Sequence, residues 1–213
     1  SEVNAAFVSA KNRPGLLYQR GWCLAEAGDH QGAIRSLSDF IAKYPDDPRV
    51  AAALAKRAKS YAESAEPQKA VADFDRLTVE GMPEDLASYA WLESARLRRA
   101  EKNIPDMIAR YKGLLGKVDH LSDNLQAEAN YYIGWGLVKT SAANEAVPFL
   151  EKARSLRPDA YRSHAGVLLA LGYFAAQDAA QLGAEIRLAI EGGYDGELPA
   201  QALQWSGMQA YNS

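Results

Sequence analysis

The feature that most constrains the fold is a weak self-similarity that returns every 36 to 39 residues. Each copy has a small residue near its start, followed in the first five copies by Ala, Met or Leu twelve positions later and by a larger apolar or aromatic residue sixteen positions later. A fixed period of this length is typical of a helical solenoid, in which stacked copies bury a shared core. The small residues that mark the copies are Gly21, Ala58, Ala95, Gly134, Ala170 and Gly207.

The first and fourth copies carry the clearest motif. Residues 17–45 read L-x2-R-G-x2-L, then A-x3-L, then P, and residues 130–158 read N-x2-I-G-x2-L, then A-x3-L, then P. This pattern resembles the tetratricopeptide repeat, W-x2-L-G-x2-Y, then A-x3-F, then P, which forms a helix-turn-helix unit of about 34 residues. The resemblance extends over roughly residues 14–213, although the units here are longer than is usual in the family.

The resemblance implies an all-α fold: a right-handed superhelical solenoid of antiparallel helix pairs, with five full units and partial units at the ends. The units start near residues 14, 51, 88, 127, 163 and 200, and we expect them to form a single domain over residues 1–213. Neither end shows the polar cap that terminal repeats normally carry. We therefore expect the chain to be a fragment of a longer protein.

The spacing predicts where the helices lie and how they pair. Small residues on the first helix of a unit, and Ala33, Ala70 and Ala146 on the second, allow the two helices to approach closely. Turn signals such as Gly28-Asp29 and Ser141-Ala142 separate the two helices of a unit. The predicted helices are 2–11, 15–27, 30–43, 49–64, 68–80, 84–101, 105–117, 122–140, 143–156, 160–176, 179–191 and 198–212.

Composition excludes several classes of protein. Charged residues make up 24% of the chain and the net charge is −3, whereas a nucleic-acid-binding domain is expected to be basic. No apolar run approaches the roughly 18 residues that a membrane-spanning helix needs. We therefore expect no nucleic-acid partner and no membrane span in this chain.

No set of residues predicts catalysis, a metal site or a cofactor. Cys23, the single cysteine, lies between Gly21 and Leu24 and is predicted to be a small buried hydrophobe. His30, His120 and His164 have no His or Cys one helical turn away, and no H-E-x-x-H zinc pattern occurs. We predict that the chain is not an enzyme and carries neither a metal nor a cofactor.

The family resemblance supplies a candidate site where chemistry supplies none. In tetratricopeptide repeat proteins, the first helices of successive units line a concave groove that holds peptides or partner helices. The residues that follow the opening position and the small residue of each first helix should face this groove. They are aromatic in units one and four and cationic in units two and three, and we predict that the groove is lined by Tyr18, Trp22, Lys59, Arg96, Arg99, Tyr131, Trp135 and Lys139.

This lining predicts a protein–protein interaction scaffold whose partner is a protein or peptide with apolar and acidic residues, since Tyr, Trp and Arg concentrate binding energy at interfaces. Packing between units is the alternative role for Trp22 and Trp135. Two other functions stay open: a substrate-presenting or regulatory arm of a larger enzyme, and a solenoid that self-associates. The segment from Ala33 to Pro48 also resembles bacterial repeat proteins of the cell envelope or periplasm.

Overall fold

The computed structural model describes residues 13–191 and 200–212, where all the regular structure is α-helical. Eleven helices follow one another within these ranges, and the predicted all-α fold is confirmed. The predicted helix 2–11 lies outside the described residues. The helices are α1 (Arg13–Glu26), α2 (His30–Lys43), α3 (Val50–Glu63), α4 (Pro67–Asp75), α5 (Glu84–Ala100), α6 (Ile104–Lys117), α7 (Asp123–Lys139), α8 (Ala143–Leu156), α9 (Pro158–Ala175), α10 (Ala179–Glu191) and α11 (Ala200–Asn212).

Most helix ends fall within two residues of the predicted ones, but α4 ends at Asp75 although the sequence predicted a helix to residue 80. The Leu77 amide donates to the Phe74 carbonyl, and the Thr78 hydroxyl donates to the Asp75 carbonyl at 2.9 Å. These local bonds replace the next helical turn, because a Thr side chain competes with the backbone for its own carbonyls. Leu77 is fully buried although it lies after the end of α4. Its apolar character therefore reflects burial of a turn residue and does not indicate helix.

The chain forms two compact regions, Ser1–Leu97 and Arg98–Ser213, which we call the N-terminal and the C-terminal region. In the N-terminal region, α1 to α4 and most of α5 surround a core whose largest members are Leu37, Phe40, Phe74 and Leu77. In the C-terminal region, α7 packs on α8 and α8 packs on α9. The fully buried side chains there include Met107, Tyr111, Leu114, Ile133, Leu150, Leu169 and Leu182.

Within a repeat, the small residue of the first helix meets the second helix at short range. A Cβ atom added to Gly21 would lie 2.6 Å from Leu37 Cγ, and one added to Gly134 would lie 2.5 Å from Leu150 Cγ. Only glycine permits these two approaches, since neither distance leaves room for a methyl group. Gly207 differs from the prediction, because within the described residues nothing lies within 4 Å of an added Cβ.

One turn geometry joins the two helices of every repeat. The residue seven positions after the small residue has a positive φ, between 57° and 82°, at Gly28, Ala65, Lys102, Ser141 and Gln177. The next amide donates at 2.9 Å to the carbonyl five residues earlier, as in Asp29 to Leu24 and Ala142 to Leu137. This is the Schellman closure, which uses a left-handed residue to satisfy the last carbonyls of a helix. The repeat period read from the sequence is therefore also the period of the backbone.

Candidate partner-binding surface

The first two predicted groove residues, Tyr18 and Trp22, form an aromatic pair on α1. They lie one helical turn apart, and their ring centroids are 5.8 Å apart. The Tyr18 ring also packs against the buried Phe40 of α2 at 5.6 Å, which fixes the pair to the core. Trp22 keeps 39% of its surface exposed. Tyr18 thus holds the pair against the core, and the Trp22 indole is partly exposed to solvent.

Lys56 of α3 was not predicted to belong to this surface, but it contacts the indole. Its ammonium nitrogen lies 3.8 Å from the Trp22 ring centroid, which is the geometry of a cation–π interaction. The same nitrogen lies 2.6 Å from a carboxylate oxygen of Glu26 on α1, so Lys56 joins two helices. The sequence did not indicate this contact, because spacing along one helix does not reveal what lies opposite.

Lys59 and Arg96 both belong to the N-terminal region and adjoin one pocket. Lys59 is exposed and borders a pocket of about 180 Å³ between α3, α4 and α5. Arg96 is half-buried, and its guanidinium lies 2.8 Å from the Glu93 carboxylate one turn earlier on α5. The pocket is lined by Lys59, Ala62, Glu63, Phe74, Tyr89, Glu93 and Leu97.

Tyr89 forms one wall of that pocket. Its ring meets the buried Phe74 ring edge-on at a centroid distance of 5.7 Å. Burial raises the pKa of its hydroxyl above the ordinary value, and the negative charges of Glu93 and Glu63 raise it further. The Tyr89 hydroxyl is therefore protonated at neutral pH and lies within electrostatic range of two carboxylates.

In the C-terminal region, Arg99 lies over an aromatic cluster. Its guanidinium carbon is 3.9 Å from the ring centroid of Tyr132 on α7. The opposite neighbour of Tyr132 is Tyr111 of α6, which stacks on it at 5.8 Å and is fully buried. Arg99 was predicted as a groove cation, and the structure shows that its guanidinium already stacks on a ring of its own chain.

Tyr131 belongs to the same cluster. Its ring contacts Tyr132 at 5.2 Å and stacks on Tyr161 of α9 at 4.8 Å. Burial raises the pKa of the Tyr131 hydroxyl above the ordinary value, with smaller contributions from the two neighbouring tyrosines. Trp135 follows one turn later and is half-buried, and Lys139 is exposed in the last turn of α7.

The structure thus gathers the eight predicted residues into two groups of four. Tyr18, Trp22, Lys59 and Arg96 belong to the N-terminal region, and Arg99, Tyr131, Trp135 and Lys139 belong to the C-terminal region. Sequence reasoning missed Lys56, Tyr89, Tyr132 and Tyr161, which contact or adjoin members of these groups. That the eight form one continuous face stays a prediction.

Cys23 does not have the predicted environment. The sequence placed it in the core beside Gly21, but the side chain is exposed. Gly21 faces Leu37 of α2, and a residue two positions further on an α-helix points about 200° away from it. Among the described residues, no group of three or more His, Cys, Asp and Glu side chains is placed to hold a metal ion. None of the described helices is both long and apolar enough to cross a bilayer.

Comparison with known proteins agrees with this geometry. Residues 16–47 match the model of the tetratricopeptide repeat family. A tetratricopeptide repeat protein from Parabacteroides merdae is 17% identical, with a TM-score of 0.61 over 85% of this chain and 68% of that chain. A MamA protein is 17% identical, with a TM-score of 0.62 over 89% of this chain and 99% of that chain.

A second MamA structure is 19% identical and has a TM-score of 0.59 over 80% of this chain and 92% of that one. No curated protein matches the sequence significantly. Identities this low show the fold, and the fold agrees with the family match in the first repeat and with the turn geometry that recurs in the later ones. The described part of the chain therefore has the fold of tetratricopeptide repeat proteins, and residues 16–47 match the model of that family.

Proposed function

We propose that this protein is a non-enzymatic scaffold that binds a segment of a partner protein along the first helices of its repeats. The tetratricopeptide repeat fold is generally that of a scaffold for protein–protein interaction. The observation that carries the proposal here is Trp22, which is 39% exposed while Lys56 lies over its indole ring. An aromatic side chain held in place but open to solvent can bind a partner with little loss of its own conformational entropy.

The partner that suits these residues is a segment with apolar anchors and acidic residues. Trp22 and Trp135 offer apolar surface, and Lys59 and Lys139 are exposed cations that acidic residues can approach. Aromatic contacts at the centre of an interface contribute most to affinity, whereas exposed charges contribute mainly to association rate and salt dependence. We propose that all eight predicted residues take part.

Selection from a displayed library of random peptides, with the whole chain as bait, tests this function. Peptides that bind the proposed surface should lose at least about tenfold in affinity when Trp22 or Trp135 is replaced by alanine. A double variant, Arg96→Glu with Arg99→Glu, should weaken the binding of acidic peptides further. Arg35→Glu, on an exposed part of α2, is the matched control and should leave binding unchanged. Enrichment only of peptides indifferent to all these changes would contradict the proposal.

We propose further that residues 1–213 act as one solenoid domain. The support is the common turn geometry, which recurs in the five helix pairs inside repeats: α1–α2, α3–α4, α5–α6, α7–α8 and α9–α10. Differential scanning calorimetry of the whole chain should then give one cooperative unfolding transition. Two separated transitions, assignable to the two compact regions by single-region variants, would contradict a single domain.

We also propose a bacterial cell-envelope or periplasmic location. The support is the resemblance of residues 33–48 to bacterial envelope repeat proteins, together with a bacterial tetratricopeptide repeat structure among those similar to this one. Fractionation of cells that express the tagged, full-length gene product should recover it with envelope or periplasmic markers. Recovery with cytoplasmic markers alone would contradict this location.

A further inference from the structure

We propose that the pocket between α3, α4 and α5 binds the side chain of an arginine or lysine of the partner, so that the bound segment carries a basic residue in addition to its acidic ones. This inference rests on the function proposed above, because it gives one position of that surface its specificity. The pocket lies wholly within the N-terminal region.

The interior of the pocket suits a methylene chain. Phe74 and Leu97 supply its apolar surface together with Ala62, and the Tyr89 ring stands edge-on to Phe74. Arg and Lys bury their aliphatic stems along such surface while their charged ends stay near polar groups. A volume of about 180 Å³ is enough for one long side chain and not for a larger ligand.

The polar groups of the pocket favour a positive charge. Glu63 is exposed at the pocket and makes no ion pair within the described part of the chain. Glu93 lies beside it and is bound to Arg96 on the outer side. Both carboxylates interact electrostatically with the Tyr89 hydroxyl, since each of them raises its pKa. Glu63 is therefore the group that a partner's guanidinium or ammonium would pair with.

Lys59 is the one cation among the lining residues, against the two carboxylates of Glu63 and Glu93. Glu26 has a pKa below its usual value, because of Lys56 first and of Lys59 to a smaller extent. Lys59 therefore interacts with a carboxylate of α1 as well as with the pocket, and it forms no ion pair with Glu63 among the described residues. The two sides of α3 thus differ: Lys56 pairs with Glu26 of α1, whereas Glu63, which forms no ion pair among the described residues, lines the pocket shared with α5.

Two other occupants are less favourable. An apolar side chain would exclude water from Glu63 and from the Tyr89 hydroxyl without offering either a partner, and a buried polar group without a partner is destabilising. An acidic side chain would meet two carboxylates at close range and be repelled. A basic side chain satisfies both groups and covers the apolar interior.

The peptide selection described above also tests this inference, because the enriched peptides should share an arginine or lysine at one fixed position. In the best peptide, that residue is then replaced by norleucine, which keeps the aliphatic chain and removes the charge. The replacement should weaken binding about tenfold to the natural chain and about twofold or less to a Glu63→Gln variant, because the interacting pair is already broken there. Glu63→Lys should shift the selected residue from basic to acidic.

Glu80→Lys makes the same charge change at an exposed position outside the pocket lining, and it should leave the basic preference intact. Peptides that need Trp22 but show no basic residue, or that bind equally well with norleucine on both proteins, would overturn the inference and leave the proposed function standing. If no enriched peptide depends on Trp22 or Trp135, the proposed function fails and the inference fails with it.

Discussion

The first and fourth repeats share one internal contact. In each, a glycine of the first helix faces a leucine sixteen residues later: Gly21 faces Leu37, and Gly134 faces Leu150. Each also carries Tyr and Trp at equivalent places, Tyr18 with Trp22 and Tyr131 with Trp135. The packing of the two helices inside a repeat is therefore encoded in the same way in both compact regions.

Their outer faces differ. Leu16 and Cys23 on α1 are exposed, whereas the equivalent residues of α7, Ala129 and Gly136, are buried. A Cβ atom on Gly136 would lie 2.8 Å from Ile108 of α6, so a preceding helix covers that face of α7. Alanine fills the position of Ala129 in every later repeat as well, and each of these alanines is at most 2% exposed. The repeat motif thus specifies the pairing of helices within a unit, and a separate set of small residues specifies the packing between units.

The shared contact predicts the largest effect on stability. Gly134→Leu should lower the free energy of unfolding by about 3 kcal/mol, because an added side chain would have to displace Leu150 at a distance where even a Cβ does not fit. Gly21→Leu should have a similar effect against Leu37. Chemical denaturation followed by circular dichroism measures both changes.

Gly116→Leu is the matched control, since an added Cβ on this helical glycine has no neighbour within 4 Å among the described residues. We expect it to leave stability unchanged or to raise it slightly, because Leu favours helix more than Gly does. If Gly134→Leu unfolded at the same denaturant concentration as this control, the close contact within the repeat would be wrong.

The difference in outer faces predicts an asymmetric pair of substitutions. Ala129→Leu should destabilise by about 1–3 kcal/mol, because the added atoms enter a fully buried site. Leu16→Ala should change stability by less than about 1 kcal/mol, because the leucine is already 47% exposed. Equal losses in thermal unfolding for the two variants would show that the outer face of α1 is covered as well.

The turns predict a smaller and opposite pair of effects. Gly28→Ala should lower the free energy of unfolding by about 1 kcal/mol, because a Cβ is unfavourable at a φ of 82° even where space is open. Ser141→Gly, at the equivalent turn with a φ of 62°, should raise it by up to about 1 kcal/mol. Ser141→Ala serves as the control for loss of the hydroxyl. A destabilising Ser141→Gly would indicate that its side chain matters more than its backbone.

The exposure of Cys23 predicts a chemical difference without any change in stability. The native protein should release close to one equivalent of thionitrobenzoate on treatment with Ellman's reagent, at a rate close to that of the denatured chain. A buried thiol would react only as fast as the protein opens. Slow labelling of the native protein would restore the core position that the sequence suggested.

Much of the fold was predictable because the same sequence pattern occurs in several repeats. The small residues that recur every 36 to 39 positions gave the pairing of helices, and a turn residue with positive φ follows seven positions after each of the first five. The end of α4 was not predictable from the apolar pattern, because Leu77 lies in the turn after the helix and its side chain is nevertheless buried. Cys23 was misplaced for a related reason: its neighbours along the chain do not reveal whether another helix covers its face.

Less of the candidate site was predictable. Tyr18, Trp22 and Tyr131 follow from their steps along the first helices. Their contacts with Lys56 and Tyr161 depend on which rotamers the packing of neighbouring helices allows, and single-helix spacing does not encode this. The pocket beside Lys59 arises from three helices together.

Two loops that follow second helices carry the same ion pair in opposite order, and they predict the smallest effect. Asp47 and Arg49 flank Pro48, and Arg157 and Asp159 flank Pro158, with a guanidinium nitrogen 2.7 Å from a carboxylate oxygen in both.

The hydrogen-bonded arginine lowers the pKa of each aspartate to about 2 from an ordinary value near 3.8. A carboxylate with a lowered pKa in the folded state stabilises that state above pH 3.8, and the contribution is lost as the pH falls towards 2. Because each pair has an exposed member, with 39% of the Arg49 side chain and 66% of the Asp159 side chain accessible, we expect only a slight change in unfolding temperature over this range. Titration of the carboxyl carbons by NMR should give a pKa near 2 for both residues, and Arg49→Gln and Arg157→Gln should each raise the pKa of only their own aspartate towards the ordinary value near 3.8. An unshifted Asp159 beside a shifted Asp47 would mean that the order of the pair matters and that the two loops are not equivalent.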